Sequence, residues 1–210
     1  MNRLELCQRI RQEAGIGGSG PVTTLAQTGE LKRVVDWCDS AWQEIQKRHK
    51  WDWMWQATTV TIGAGAYFAA DTIAADRYVK EGTYRDGTRM DYLPWAVFRE
   101  RYPVSRIDDG TPTVWTIRPD KAFAVNAMPT ADQTIDVERY TNPVALAADA
   151  STPGMPEEHH MAIVWKALLL YANFEEAGVT RATAQEEYRR HLSELGMSEL
   201  PDCTFGEALA

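Results

Sequence analysis

The stretch Glu13-Ala14-Gly15-Ile16-Gly17-Gly18-Ser19-Gly20-Pro21-Val22 decides the fold, because Gly15, Gly17 and Gly20 have the spacing G-x-G-x-x-G. In a dinucleotide-binding domain that pattern follows a buried strand and opens a helix, so that backbone amides meet a pyrophosphate at the helix N-terminus. Here Leu4, Cys7, Ile10 and Ala14 precede it at three- and four-residue steps, with Arg9, Arg11, Gln12 and Glu13 on the other face. That spacing predicts an amphipathic helix, not a strand. Pro21 and two threonines follow, where the nucleotide motif needs a helix. The glycines are therefore read as a helix stop, with Gly15 the left-handed cap residue, and then a compliant turn that binds no cofactor.

Downstream, Leu31, Val34, Val35, Cys38, Trp42 and Ile45 fall on one stripe of a long predicted helix. Thr28 is its expected N-cap, Glu30 lies in its first turn, and Lys47, Arg48 and Lys50 crowd its end, all as the helix dipole favours. From about Trp53 the period changes. Val60 and Ile62 alternate with Thr59 and Thr61, and Ile135 and Val137 alternate with Asp136 and Glu138, the two-residue period of half-buried strands. Turn chemistry separates the pieces at Asp86-Gly87, at Pro119-Asp120-Lys121 and around Pro129. One short helix is expected from Pro94. The helical period then returns: Met161, Val164, Trp165, Leu168, Leu169 and Ala172 on one helix, and Ala184, Tyr188, Leu192 and Leu195 on a last one, opened by Thr180 and stopped by Gly196.

The expected fold class is α+β: a four-helix bundle of two N-terminal and two C-terminal helices, with a small antiparallel β domain inserted between them. The expected divisions are residues 1–52 for the first helical pair, 53–150 for the β domain, 151–197 for the closing helices and 198–210 for a tail.

Composition narrows the function classes. The chain has 210 residues, 44% hydrophobic and 25% charged, as a folded domain does, and no apolar run approaches a membrane span. With a charged N-terminus in place of a signal-peptide core, the protein is expected to stay in the cytoplasm where it is made. The net charge is −8, and residues 157–210 hold ten acidic side chains against four basic ones. Tight DNA binding needs the reverse balance, because affinity comes from neutralising phosphates. Cys7, Cys38 and Cys203 are widely spaced and odd in number, which argues against a disulfide framework or a cysteine-type zinc site. His159 and His160 are adjacent, so on a helix they diverge by about 100° and cannot share one ion; capping or packing is the expected role. The paired carboxylates Asp108-Asp109, Glu175-Glu176 and Glu186-Glu187 read as solvated surface, and neither a nucleophile elbow nor a phosphate-loop lysine is present. No catalytic, cofactor or metal residue is assigned. Trp37, Trp42, Trp51, Trp53 and Trp55 crowd nineteen residues. If the segment is extended, Trp51, Trp53 and Trp55 share a face, and a core at the domain junction is expected there, with a protein contact as the alternative.

The order of five segments, residues 4–16, 29–46, 110–125, 135–146 and 153–172 ("LELCQRIRQEAGI", "GELKRVVDWCDSAWQEIQ", "GTPTVWTIRPDKAFAV", "IDVERYTNPVAL", "PGMPEEHHMAIVWKALLLYA"), resembles the head-to-tail adaptor proteins of tailed bacteriophages. The resemblance implies a structural virion protein and no enzyme. It implies a ring, usually of twelve copies, below the portal of the filled head, which continues the DNA channel and docks the next neck or tail protein. It also implies that the C-terminal segment reaches the portal, which maps to residues after Leu195 and to Leu200, Phe205 and Leu209. An acidic lumen that lets the duplex slide is expected; a ring with basic residues facing the duplex would exclude it. A tail-completion or other neck protein is the nearest alternative, and a nucleotide-binding enzyme or a DNA-binding regulator a more distant one.

Overall fold

The computed structural model describes residues 1–18, 20–69 and 78–200. Among them the elements run α1 (Arg3–Glu13), α2 (Gly29–Arg48), β1 (Trp55–Ile62), β2 (Tyr78–Arg85), β3 (Thr88–Arg89), β4 (Asp91–Tyr92), α3 (Trp95–Arg101), β5 (Val114–Ile117), β6 (Phe123–Val125), β7 (Gln133–Tyr140), α4 (Met161–Phe174) and α5 (Gly178–Glu199). The fold is α+β, in two compact units: Met1–Trp53 with the chain from Pro143 onward, and Met54–Asn142.

In the helical unit α1 is closed at both ends by its own sequence. The Asn2 side chain accepts from the Glu5 amide at 2.9 Å, and the Glu5 carboxylate accepts from the Asn2 amide at 2.8 Å, a reciprocal capping box. At the other end Gly15 has φ +68°, its amide donates to Gln12 O and the Ile16 amide donates to Arg11 O, the paired bonds of a Schellman stop. The expected role of Gly15 is what the backbone shows. The α1 stripe differs in detail. Leu6 is buried with Cys7 and Ile10, Leu4 is only half-buried, and Arg3 and Arg11 lie inward. Long arginines can bury their stems and still reach polar partners, so a polar letter need not mark the solvent face.

Helix α2 buries Val34, Val35, Cys38, Trp42 and Ile45 as its period predicts, while Leu31 at the start of the expected stripe is only half-buried. Thr28 stands at its N-cap without a side-chain cap bond. Helix α4 packs against α1, α2 and α5, whereas α5 lies mainly on α4 and on the 3₁₀ turn Glu157–His159. Because α4 is covered from several sides, its buried residues form an arc of Ala162, Ile163, Val164, Ala167, Leu168 and Ala172, with Met161, Trp165 and Leu169 only half-buried. The three alanines let neighbouring backbones approach. In α5, only Ala184 and Leu195 are buried. Neither of its expected boundaries holds: the helix begins at Gly178, after Glu176 turns the chain at φ +52°, and runs through Gly196. It ends where Leu200, at φ −99° and ψ 140°, takes the extended backbone that a following proline requires.

The tryptophans go to separate places. Trp53 sits in a 3₁₀ turn (Asp52–Met54), so the segment is not extended and the condition for a shared face is not met. Trp51 is fully buried and stacks on Trp53 at 4.8 Å, Trp55 is 47% exposed, and Trp37 meets Tyr171 and Phe174 between α2 and α4.

The second unit holds two small sheets. In the antiparallel sheet, of order β1-β7-β2-β3, all eight residues of β1 pair with β7, from Trp55↔Tyr140 to Ile62↔Gln133. Val60 stands opposite Ile135, and alternate residues Val60, Ile62, Ile135 and Val137 are buried, as two-residue periodicity requires. Asp86 and Gly87, with φ 48° and 75°, join β2 to β3 in a tight hairpin with both central residues left-handed. The second sheet, β4-β5-β6, corrects the expectation of a wholly antiparallel domain, because β4 pairs parallel with β5. A parallel pair needs a long crossover, and here that connection contains α3. Trp115 lies fully buried between the strands' side chains, stacked on Phe123 at 5.0 Å and edge-on to Tyr78 and Tyr92.

Candidate functional site

The most connected polar site in the helical unit centres on Arg3. Its Nε donates to Asp39 Oδ1 at 3.0 Å and its Nη2 to Asp39 Oδ2 at 2.5 Å, a two-pronged ion pair between α1 and α2. Its Nη1 donates to Thr24 Oγ1 at 3.0 Å. Thr24 in turn donates to Asp149 Oδ1 from both its amide and its hydroxyl. Those bonds hold the Asp149 carboxyl below its usual pKa, the threonine side chains of Thr23 and Thr24 being the main cause. Asp149 belongs to a strap, residues 143–151, whose Asp149 and Ser151 carbonyls accept from Leu4 and Arg3 amides at the start of α1. Farther along, Val144 O accepts from Trp42 Nε1 at 2.8 Å and Gln46 Nε2 at 3.0 Å, and the Val144 amide donates back to Gln46 Oε1. One network thus fastens α1, the loop before α2, α2 itself and the strap that leads into α4. Neither Arg3 nor Asp149 stands out in the sequence. The available signal was that Arg3 lies one helical turn before Cys7, on the inward stripe.

At the glycine loop a concavity of about 480 Å³ is lined by Gly15, Gly17, Gly18, Gly20 and Arg11, whose guanidinium donates to Gly17 O at 2.7 Å and to Glu30 Oε1 at 3.0 Å. Residues 21–28 separate Gly20 from the start of α2, so the loop does not run into a helix N-terminus. A second concavity, of about 420 Å³ in the β unit, is lined by Lys80, Glu81, Arg89, Asp91, Tyr92 and Arg101 among others. Its alternating charges suit a polar protein surface better than a phosphate chain, which needs one sign of charge.

His159 and His160 diverge as their adjacency demands. His159 Nε2 meets Ser198 Oγ at 2.9 Å, linking the 3₁₀ turn to the end of α5. His160 is buried, with Nδ1 2.8 Å from the terminal amino group of Met1 and Nε2 3.2 Å from Met155 O. A neutral ring fits both contacts: Nε2–H donates to the carbonyl and Nδ1 accepts from the ammonium. Burial, first, and the ammonium charge, second, lower the His160 pKa, while Met155 O and Glu157 act the other way. A histidine with a depressed folded pKa contributes stability above its unfolded value, near 6.5, which is lost as pH falls through its folded value. The helical unit should therefore be less stable toward urea at pH 5.5 than at pH 7.5, and His160→Gln should flatten that dependence; an unchanged slope would remove His160 as its source. Among the described residues, no group of three or more His, Cys, Asp and Glu is placed to hold a metal ion.

Of the residues expected to dock a partner, Leu200 is half-buried at the end of α5, while Phe205 and Leu209 lie outside the described residues. The helix leading to Leu200 carries Glu186, Glu187, Glu194 and Glu199 beside Arg181, Arg189 and Arg190, with Met197 exposed near its end, and Arg190 is engaged by Glu187 at 2.5 Å and Glu194 at 3.6 Å. Among the described residues no helix is long and apolar enough to cross a membrane.

A search of curated proteins finds no match to this chain. A family model described as the SU10 adaptor protein matches residues 1–203. That match spans both units, from the capping box of α1 to the end of α5 and just beyond. The chain therefore belongs to the SU10 adaptor protein family, a family of phage adaptors that are structural components of the virion and associate with other virion proteins.

Proposed function

We propose that the protein forms a homo-oligomeric ring of twelve copies below the portal, connects the phage head to the tail, and continues the channel through which DNA leaves. The observation that carries this reading is the family match along nearly the whole chain, residues 1–203. The charge pattern supports it. A wall that lets a duplex slide must not collect phosphates, and the −8 balance, concentrated in residues 157–210, repels them. In this reading the protein acts without catalysis or cofactor, contacts passing double-stranded DNA without tight binding, and is made in the host cytoplasm before joining the neck. Negative-stain microscopy of particles from a host infected with phage carrying a stop codon in this gene tests it. DNA-filled or leaking heads beside free tails are expected; complete, infectious virions would overturn the neck assignment.

The portal-docking segment is assigned to the tail after Leu195, with Leu200, Phe205 and Leu209 as apolar anchors in an otherwise polar end. A few well-packed anchor residues carry most of the energy of an interface. A chain ending after Leu200 should bind the portal protein at least ~10-fold more weakly in a titration, a loss of about 1.4 kcal/mol or more. Equal affinity would move the docking surface elsewhere.

A further inference from the structure

Cys7 on α1 and Cys38 on α2 are both fully buried and both free thiols. The two helices are antiparallel here, since Arg3 pairs with Asp39 while Arg11, two turns on, pairs with Glu30. These two clasps bracket the thiols: Cys7 lies one turn from each arginine, and Cys38 adjoins Asp39. The register they impose puts both thiols in the packed seam of α1 and α2, where the neighbouring Cys7 thiol and burial push the Cys38 thiol well above its ordinary pKa. Neighbouring thiols buried between two packed helices need little backbone movement to reach disulfide geometry.

We propose that Cys7 and Cys38 are an oxidisable pair, a modification site at which an interhelical disulfide staples α1 to α2. With a small-molecule disulfide as oxidant, one cysteine thiolate attacks it, displacing one small thiol and forming a mixed disulfide. The second thiolate then attacks the protein sulfur of that mixed disulfide and displaces the second small thiol. The protein thiols give up two electrons and two protons, and the small disulfide is reduced to two thiols. Because both thiols are buried and the Cys38 thiolate is scarce, the first attack waits for α1 to open from α2. The pair therefore stays reduced in a reducing cytoplasm and closes slowly on exposure to an oxidising medium.

The test is an exchange equilibrium between reduced and oxidised glutathione, on the full chain carrying Cys203→Ser so that only these two cysteines remain. It is run in native buffer at temperatures approaching the thermal midpoint, so that opening does not limit exchange, and again in urea. After quenching, a tryptic peptide pair joining residues 4–9 to residues 34–47 reports the staple. Its equilibrium constant for formation should be at least ~10-fold larger in the folded chain than in urea, the effective concentration being set by the packed helices. Cys7→Ala and Cys38→Ala should each abolish the linked pair. An equal or smaller constant in the folded chain, or recovery of the two cysteines chiefly as separate glutathione adducts, would overturn the proposal. The assay uses the isolated protein, so its outcome is independent of the neck assignment.

Discussion

Replacement of Trp51 by alanine should destabilise the helical unit by about 3–5 kcal/mol, the range for deleting a large buried aromatic. Trp51 is fully buried, stacks on Trp53 with planes 13° apart, meets His49 edge-on at 5.0 Å, and donates from Nε1 to Ile45 O at 2.7 Å. That carbonyl belongs to the last turn of α2, where intrahelical donors run out. Alanine thus opens a cavity and also leaves a helix-end carbonyl without this donor. Trp51→Phe separates the two terms: it keeps most of the ring volume and removes the N–H, so its cost should fall to about 1–2 kcal/mol. Urea unfolding followed by far-ultraviolet circular dichroism measures both. A Trp51→Ala midpoint within error of the parent would mean that the ring does not support the end of α2.

Replacement of Arg3 by methionine should cost about 2–3 kcal/mol, although the new side chain is apolar and of similar length. The Arg3 side chain is 10% exposed and Asp39 31%, so the ion pair is neither fully screened nor fully desolvated. Methionine strands the Asp39 carboxylate and removes the donor to Thr24, so the Thr24–Asp149 link loses its side-chain tie to α1 and only the backbone bonds from the Arg3-position and Leu4 amides remain. The effect should reach the strap: amides that depend on it, such as Val144, should exchange faster with deuterium than in the parent. Adding Asp39→Asn to Arg3→Met should cost less than the two single changes added together, because each single change leaves a partner unpaired. Strict additivity would show that Arg3 and Asp39 do not act as a pair.

How much of this was legible in the sequence depended on whether the signal was local. Val60 and Ile62 on β1, Ile135 and Val137 on β7, and Val34, Val35, Cys38, Trp42 and Ile45 on α2 were readable because the period of a strand or helix places those residues on one face before any partner is chosen. Gly15 and the Asp86-Gly87 turn were readable because left-handed backbone has few residues that tolerate it. The carboxyl end of α5 was misplaced because Gly196 permits a stop without requiring one, while Pro201 imposes the extended conformation on Leu200. The docking residues were suggested by family resemblance and an apolar-in-polar pattern, and they remain part of the proposal.

The sequence by itself determined the helix–strand–helix order, the α+β class and the local caps and turns, because these follow from backbone preference and hydrophobic period over a few residues. Only the tertiary structure decided that Arg3 and Arg11 turn inward, that the strap around Val144 and Asp149 is tied to α1 and α2, that β4 runs parallel to β5, and that Cys7 and Cys38 are buried between the packed α1 and α2. Each of these joins residues distant in the chain. A side chain's charge or thiol says what bonds it can make, and the packing of the elements decides which partner is within reach.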